Sequence, residues 1–185
     1  MSAVYIGLVH FPIYNKNYEV ISTAITNLDI HDISRTATTY GVKKYFIIHP
    51  LRQQQDLAVQ ILDYWRDGFG GAYNPDRKQA LDRTMVIASI EAAIFEITAI
   101  EATAPIVVTT DAREYSNTVS YQELRSKIET DAQPVLVLFG TGNGIEKSVM
   151  ANFDFILEPI RSRNDYNHLC VRSAAAIILD RLLGV

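Results

Sequence analysis

The chain has 185 residues, 48% of them hydrophobic, a formal net charge of −4 and a single cysteine. That length supports one well-buried core and is short for two, so a single domain over residues 1–185 is expected. The negative balance means that phosphate must be held by a local basic patch, and one cysteine excludes an internal disulfide or a multi-cysteine metal cluster.

In chain order, the N-terminus MSAVYIGLVHF carries no cationic leader, and no segment approaches the ~20 apolar residues of a membrane span. A soluble cytoplasmic protein with no membrane partner is expected. Residues 4–11 form a short apolar run closed by Pro12 and read as a buried strand. Asn15, Lys16 and Asn17 make a turn, after which residues 19–26, rich in β-branched side chains, pair back as a hairpin. Asn27 is placed to cap a helix whose Ile30, Ile33, Ala37 and Tyr40 share one face and which Gly41 ends.

The pattern then repeats, with a strand over 45–49 and a helix over 50–66 that turns Leu57, Ile61, Leu62 and Trp65 to the core. Gly68, Gly70 and Gly71 make a loop, residues 75–83 a short helix and residues 85–88 a strand. Ser89 caps a helix running to about Ala102, residues 105–110 return as strand, and Ser120 with Glu123 fits a capping box at the head of a helix to about Thr130. Two more strands, 134–140 and 155–160, precede a last helix over 170–184. Such alternation predicts an α/β fold, a mostly parallel sheet with helices on both faces.

The most informative stretch is the C-terminal third. The strand PVLVLFG runs straight into TGNGI, giving Gly140, Gly142 and Gly144 within five residues. Backbone amides there approach a ligand without β-carbon interference, which suits phosphate, ribose or carboxylate groups. The order and spacing fit neither a Walker loop nor a dinucleotide fingerprint. A tight turn needing positive φ is the plain reading of the loop alone. Pro159, Asn167, His168 and Ser173 in the next loop and helix start bring further polar groups to the same crevice, and two converging loops argue for a site. Cys170, just inside an apolar helix, is expected to be a small buried side chain, and His10 and His31 to pack rather than bind metal.

Three blocks, NLDIHDISRTATTYG (27–41), LVLFGTGNGI (136–145) and NHLCVRSAAAIILDRLLG (167–184) after the strand ILEPI, resemble the SPOUT superfamily of S-adenosylmethionine-dependent RNA methyltransferases. The likeness points to a small stand-alone bacterial branch similar to the C-terminal domain of tRNA guanine-N1 methyltransferases. It implies a C-terminal trefoil knot within the region from about 105 to 185, a homodimer, and an RNA substrate, tRNA or rRNA. It also implies a bent S-adenosylmethionine held by Phe139, Gly140, Thr141, Gly142 and Gly144, by Ile156, Leu157 and Ile160, and by Asn167, Leu169 and Ser173, with Thr109 at the adenine or ribose edge. The sequence departs from the ribose enzymes of the superfamily: Asn27 and Arg35 are eight apart, Asp29 stands where a small residue is usual, and Thr141-Gly142-Asn143 replaces a glutamate. Base nitrogen and ribose oxygen both stay open as methyl acceptor.

Methyl transfer from a sulfonium needs alignment and a base for the acceptor's proton. Asp29, Asp32 and Arg35 follow one another at i, i+3 spacing on the first helix, which alone describes a solvated ion-pair row. With the resemblance, Arg35 and Asp32 become catalytic candidates, Arg35 orienting an RNA phosphate or supporting deprotonation. Asp165, in the loop where the guanine-N1 enzymes carry an acid, is a third. Arg161, Arg163, His168 and Arg172 make that region locally basic, which suits RNA and equally suits pairing with Asp165 and Glu158. Two rivals stay in view: a non-catalytic RNA-binding or assembly factor on the same fold, and a small-molecule or nucleotide-binding α/β enzyme.

Overall fold

The structure is a computed structural model that describes every residue except Glu114, Ser116 and Asp165. Seven strands form one sheet: β1 (Val4–Val9), β4 (Tyr45–Ile48), β5 (Thr84–Ile87), β6 (Ile106–Thr110), β7 (Thr118–Val119), β8 (Val135–Gly140) and β9 (Phe155–Leu157). Their order is β5-β4-β1-β8-β6-β9-β7, and all of these pairings are parallel. A parallel sheet needs a crossover between neighbours and cover on both faces. β1, β4 and all of β8 but its last residue are accordingly buried without alternation.

One face packs against α1 (Asn27–Thr39), α2 (Arg52–Arg66), α4 (Pro75–Leu81), α6 (Tyr121–Thr130) and α8 (Val171–Leu183), through residues such as Ile30, Ile33, Leu62, Leu124 and Leu179. The other is covered by α5 (Ile90–Glu101) and the short α7 (Lys147–Met150), through Ile90, Ile97, Met150 and Ile145. A two-stranded ribbon, β2 (Ile13–Tyr14) with β3 (Val20–Ile21), and the short α3 (Phe69–Tyr73) complete the fold.

Several boundaries differ from the sequence reading for local reasons. Thr26, not Asn27, caps α1: its Oγ1 accepts from the Asp29 amide at 3.2 Å, and Asn27 is already helical. In α2 the buried stripe runs through Ala58 and Leu62, and Leu57 is turned outward, 43% exposed. The three glycines expected as a loop partly wind into α3. β9 stops at Leu157, short of the expected 160: the Glu158 amide makes a last bond to Val119 O at 2.9 Å, Pro159 has no N–H to continue the ladder, and the Glu158 carboxylate accepts from the Tyr121 amide at the head of α6. The Ser120–Glu123 capping box forms as expected, with the Glu123 carboxylate accepting from the Ser120 amide at 2.9 Å.

Candidate active site

β6 and β8 end side by side at Thr110 and Gly140, and a cleft of about 690 Å³ opens beyond these ends. Such carboxyl ends are where open α/β sheets bind ligands. One wall is the glycine loop. Gly142 and Gly144 sit at φ 52° and 96°, and a β-carbon on Gly142 would lie 2.9 Å from Ile13 Cγ2. Valine at 142 is therefore both strained and obstructed. The ribbon fastens this loop: Tyr14 N donates to Gly144 O at 2.9 Å and Asn143 N donates to Tyr14 O at 2.9 Å.

Thr141 anchors the loop's base. Its hydroxyl donates to Val9 O at 3.0 Å, so Thr23 Oγ1, 2.5 Å away, must spend its proton on Thr141. Thr23 then accepts from His10 Nδ1 at 3.0 Å, which fixes the neutral Nδ1–H tautomer of His10. His49 is fixed the other way, Nε2 donating to Thr23 O and Nδ1 accepting from the Leu51 amide, both at 3.0 Å. Burial, with His49 close by, pushes His10 down to about 4, and burial lowers His49 too. His10 packs against His49, and His31 packs edge-on to Trp65, the packing expected of both.

The opposite wall joins α1 to α8. Asp29 is buried; its Oδ2 accepts from Thr26 Oγ1 at 2.6 Å and its Oδ1 from Arg172 Nη1 at 2.7 Å. Arg172 Nε also lies 3.4 Å from Asp32 Oδ2, and the Asp29 bond is the main cause holding the guanidinium protonated beyond its ordinary range. A second pair lies near Gly144: Asp111 accepts from Arg113 Nη2 at 2.7 Å and from Tyr115 OH at 3.1 Å. Burial and the Asp111 charge push the Tyr115 phenol up to about 12.

Of the residues that the sequence assigned to a cofactor, Phe139, Gly140, Thr141, Gly142, Gly144, Ile160, Asn167 and Leu169 line this one cleft. Asn167 Nδ2 donates to Ala112 O at 3.0 Å, which ties the loop before α8 to the end of β6. Thr109 and Ile156 are paired in register and turn to the α5 face, away from the cleft, and Thr110 lines it instead. Strand alternation makes this a one-residue matter. Leu157 is buried in the core on the α8 side, and Ser173 is exposed on α8 outside the lining. Arg35 is exposed on α1, also outside it, and Asp32 reaches it only through Arg172. Asp165 lies outside the described residues. Cys170 is a correction: it is exposed, lines the cleft and caps no amide. The Ser173 hydroxyl, 3.2 Å from Sγ, is the main cause that lowers the thiol's pKa.

Missed by sequence reasoning were Tyr18, Asp111 and Arg113, with Asp29 left as part of a solvated row. The signal for Asp29 was available, since it falls three residues after Thr26 and points back along the capped end of α1. The others come from loops whose placement only the fold decides.

The model of a family described as SAM-dependent RNA methyltransferase matches residues 3–184. A protein of Aquifex aeolicus is 40% identical over 181 residues, which is 98% of this chain and 88% of that one. A tRNA (guanine-N(1)-)-methyltransferase of Oleidesulfovibrio alaskensis is 42% identical over 98% of this chain, which spans only 42% of that longer protein. In fold, the SpoU methyltransferase AviRb of Streptomyces viridochromogenes, solved with AdoMet, superimposes with a TM-score of 0.55 at 14% identity, over 99% of this chain and 59% of that one. With a matching family model across nearly its whole length, this chain belongs to the S-adenosylmethionine-dependent RNA methyltransferases.

Proposed function

We propose that the cleft between the glycine loop and the start of α8 holds S-adenosylmethionine and that the chain transfers its methyl group to a nucleotide of tRNA or rRNA. The observation that carries this reading is the convergence of Phe139 to Gly144 with Ile160, Asn167 and Leu169 on one cavity of about 690 Å³, ample for a nucleoside-sized cofactor. The bound cofactor supplies an electrophilic methyl on a sulfonium. The backbone of the two loops holds and orients it, Asp29 fixes Arg172 at the rim, and α8 and the preceding loop shield it from water.

Arg35, exposed on α1 outside the lining of the cleft, suits an RNA phosphate better than the cofactor, and Asp32 acts through Arg172 as a positioning residue. Asp165 stays a candidate base from the sequence. The tRNA specificity draws on a relative's name, and the acceptor atom, base or ribose, is left for product analysis. A trefoil threading of the C-terminal segment, a single-domain organisation, a homodimer that completes the RNA-facing surface and a cytoplasmic location belong to the same proposal. No helix among the described residues is long and apolar enough to cross a membrane.

Calorimetry with S-adenosylmethionine tests the site. Micromolar binding is expected, lost in Gly142→Val and weakened in Asn167→Ala, whose folding is checked by circular dichroism. Tritium transfer from labelled cofactor to undermodified bacterial tRNA and rRNA tests the activity. Absence of cofactor binding overturns the site, and binding of both ligands with no transfer to either RNA returns the non-catalytic RNA-binding reading.

A further inference from the structure

The ribbon that fastens the glycine loop carries a conformational oddity at its tip. Its turn closes with Tyr18 N donating to Asn15 O and Asn15 N to Glu19 O, both at 3.0 Å, a three-residue hairpin loop over 16–18. The third position of such a loop adopts the left-handed conformation and ordinarily takes glycine. Here it is Tyr18, at φ 62°. The turn does not need the tyrosine, because the Asn15 side chain organises it, accepting from the amides of Asn17 and Glu19 at 2.8 and 3.0 Å.

Nor does the ring serve the core, being 65% exposed. What it does is line the cleft, beside Arg113 and the Gly142 to Gly144 backbone. Tyr14 buttresses it edge-on at 5.9 Å and 63°, and the Tyr14 hydroxyl donates to Glu146 at 3.0 Å. Because Tyr14 is bonded to both Asn143 and Gly144, ring and glycine loop form one unit. A costly backbone state that holds an exposed aromatic face over a cavity is a reason to look for a ligand.

We propose that Tyr18 is a cofactor-binding residue whose ring stacks on the purine of S-adenosylmethionine. This rests on the cofactor reading above and adds a contact from the N-terminal ribbon, outside the three blocks of the resemblance. A ribose held by the Gly142 to Gly144 backbone places its purine one bond away, within reach of this ring. Stacking on an aromatic side chain is a substantial, sequence-tolerant contribution to binding a base.

The test is calorimetry of wild type, Tyr18→Phe, Tyr18→Leu and Tyr18→Gly with S-adenosylmethionine and S-adenosylhomocysteine, together with thermal melts. The phenylalanine variant is expected to bind like wild type, and the leucine and glycine variants to lose roughly tenfold for both ligands alike. Tyr18→Gly is expected to melt at or above the wild-type temperature, since glycine adopts positive φ without strain. Unchanged affinity in all variants overturns the assignment. So does a loss confined to the sulfonium ligand, which would place the ring on the sulfur, or a lower melting temperature that tracks the lost affinity, which would make Tyr18 a structural residue. If wild type itself binds neither ligand, the cofactor site fails, a result distinct from any of these.

Discussion

His10 shows how one buried side chain ties the protein's stability to pH. The imidazole is fully buried, its Nδ1–H is committed to Thr23, and its Nε2 has no hydrogen-bond partner among the described residues. Charging it means placing a cation beside His49, and Asp29 only partly offsets this. The folded pKa of about 4 lies below the ordinary value of 6.5, so the unfolded chain binds the extra proton first as pH falls. The contribution is whole above pH 6.5 and is lost progressively as pH falls from there to about 4. Between pH 7 and pH 5 the loss is about 2 kcal/mol, and urea melts at the two pH values check it. His49, also lowered by burial, adds in the same direction. His10→Asn, which keeps a donor for Thr23 and does not titrate, is expected to flatten this slope. Because the chain His10–Thr23–Thr141 ends at the glycine loop, cofactor affinity is expected to fall over the same window.

At the scale of elements, the cap of α1 is where a sequence rule was right in kind and displaced by one residue. Thr26 and Asn27 are both good capping residues, and the sequence gives no ground for preferring the second. Thr26 wins because its hydroxyl bonds Asp29 twice, accepting from the amide and donating to the carboxylate, and so aims that carboxylate at Arg172 on α8. Thr26→Ala is expected to cost about 1 kcal/mol, a drop in Tm of roughly 2–4 °C, and to weaken cofactor binding through the loosened α8. Asn27→Ala, at an exposed first-turn position, is expected to be near neutral, so thermal melts of the two variants decide which residue is the cap.

Elsewhere the legible elements are those whose signal is local. The Ser120–Glu123 box, the Ser89 cap and the apolar runs of β1, β4 and β8 all carry it within a few residues. β7, two residues long, and α7, four, have no periodicity to read and owe their existence to neighbours. Leu57 was misplaced because several apolar residues in α2 compete for one stripe, and packing against α1 and α4 chose Ala58.

For the molecule as a whole, a ligand that binds only the folded state stabilises it by mass action. S-adenosylmethionine at a hundred times its Kd is expected to add about 2.7 kcal/mol, a rise in Tm of roughly 5–10 °C, absent in Gly142→Val. If the proposed homodimer forms, sedimentation equilibrium gives twice the chain mass and a Tm that rises with protein concentration. A monomer at all concentrations would remove the partner subunit from the RNA-facing surface.

The sequence by itself determined the alternation of strands and helices, the capped helix starts, the glycine loop and the three blocks that resemble a family, because each is written in neighbouring residues. It could not decide which face of a strand meets the cleft: Thr109 and Thr110 are chemically alike, and only the pairing of β6 with β8 and β9 turns the second toward it. Nor could it bring Tyr18 and Arg113 to the glycine loop, or Asp29 to Arg172 across 143 positions of chain. Those meetings are non-local. They depend on how a parallel sheet orders its strands and on which helix ends that order leaves side by side.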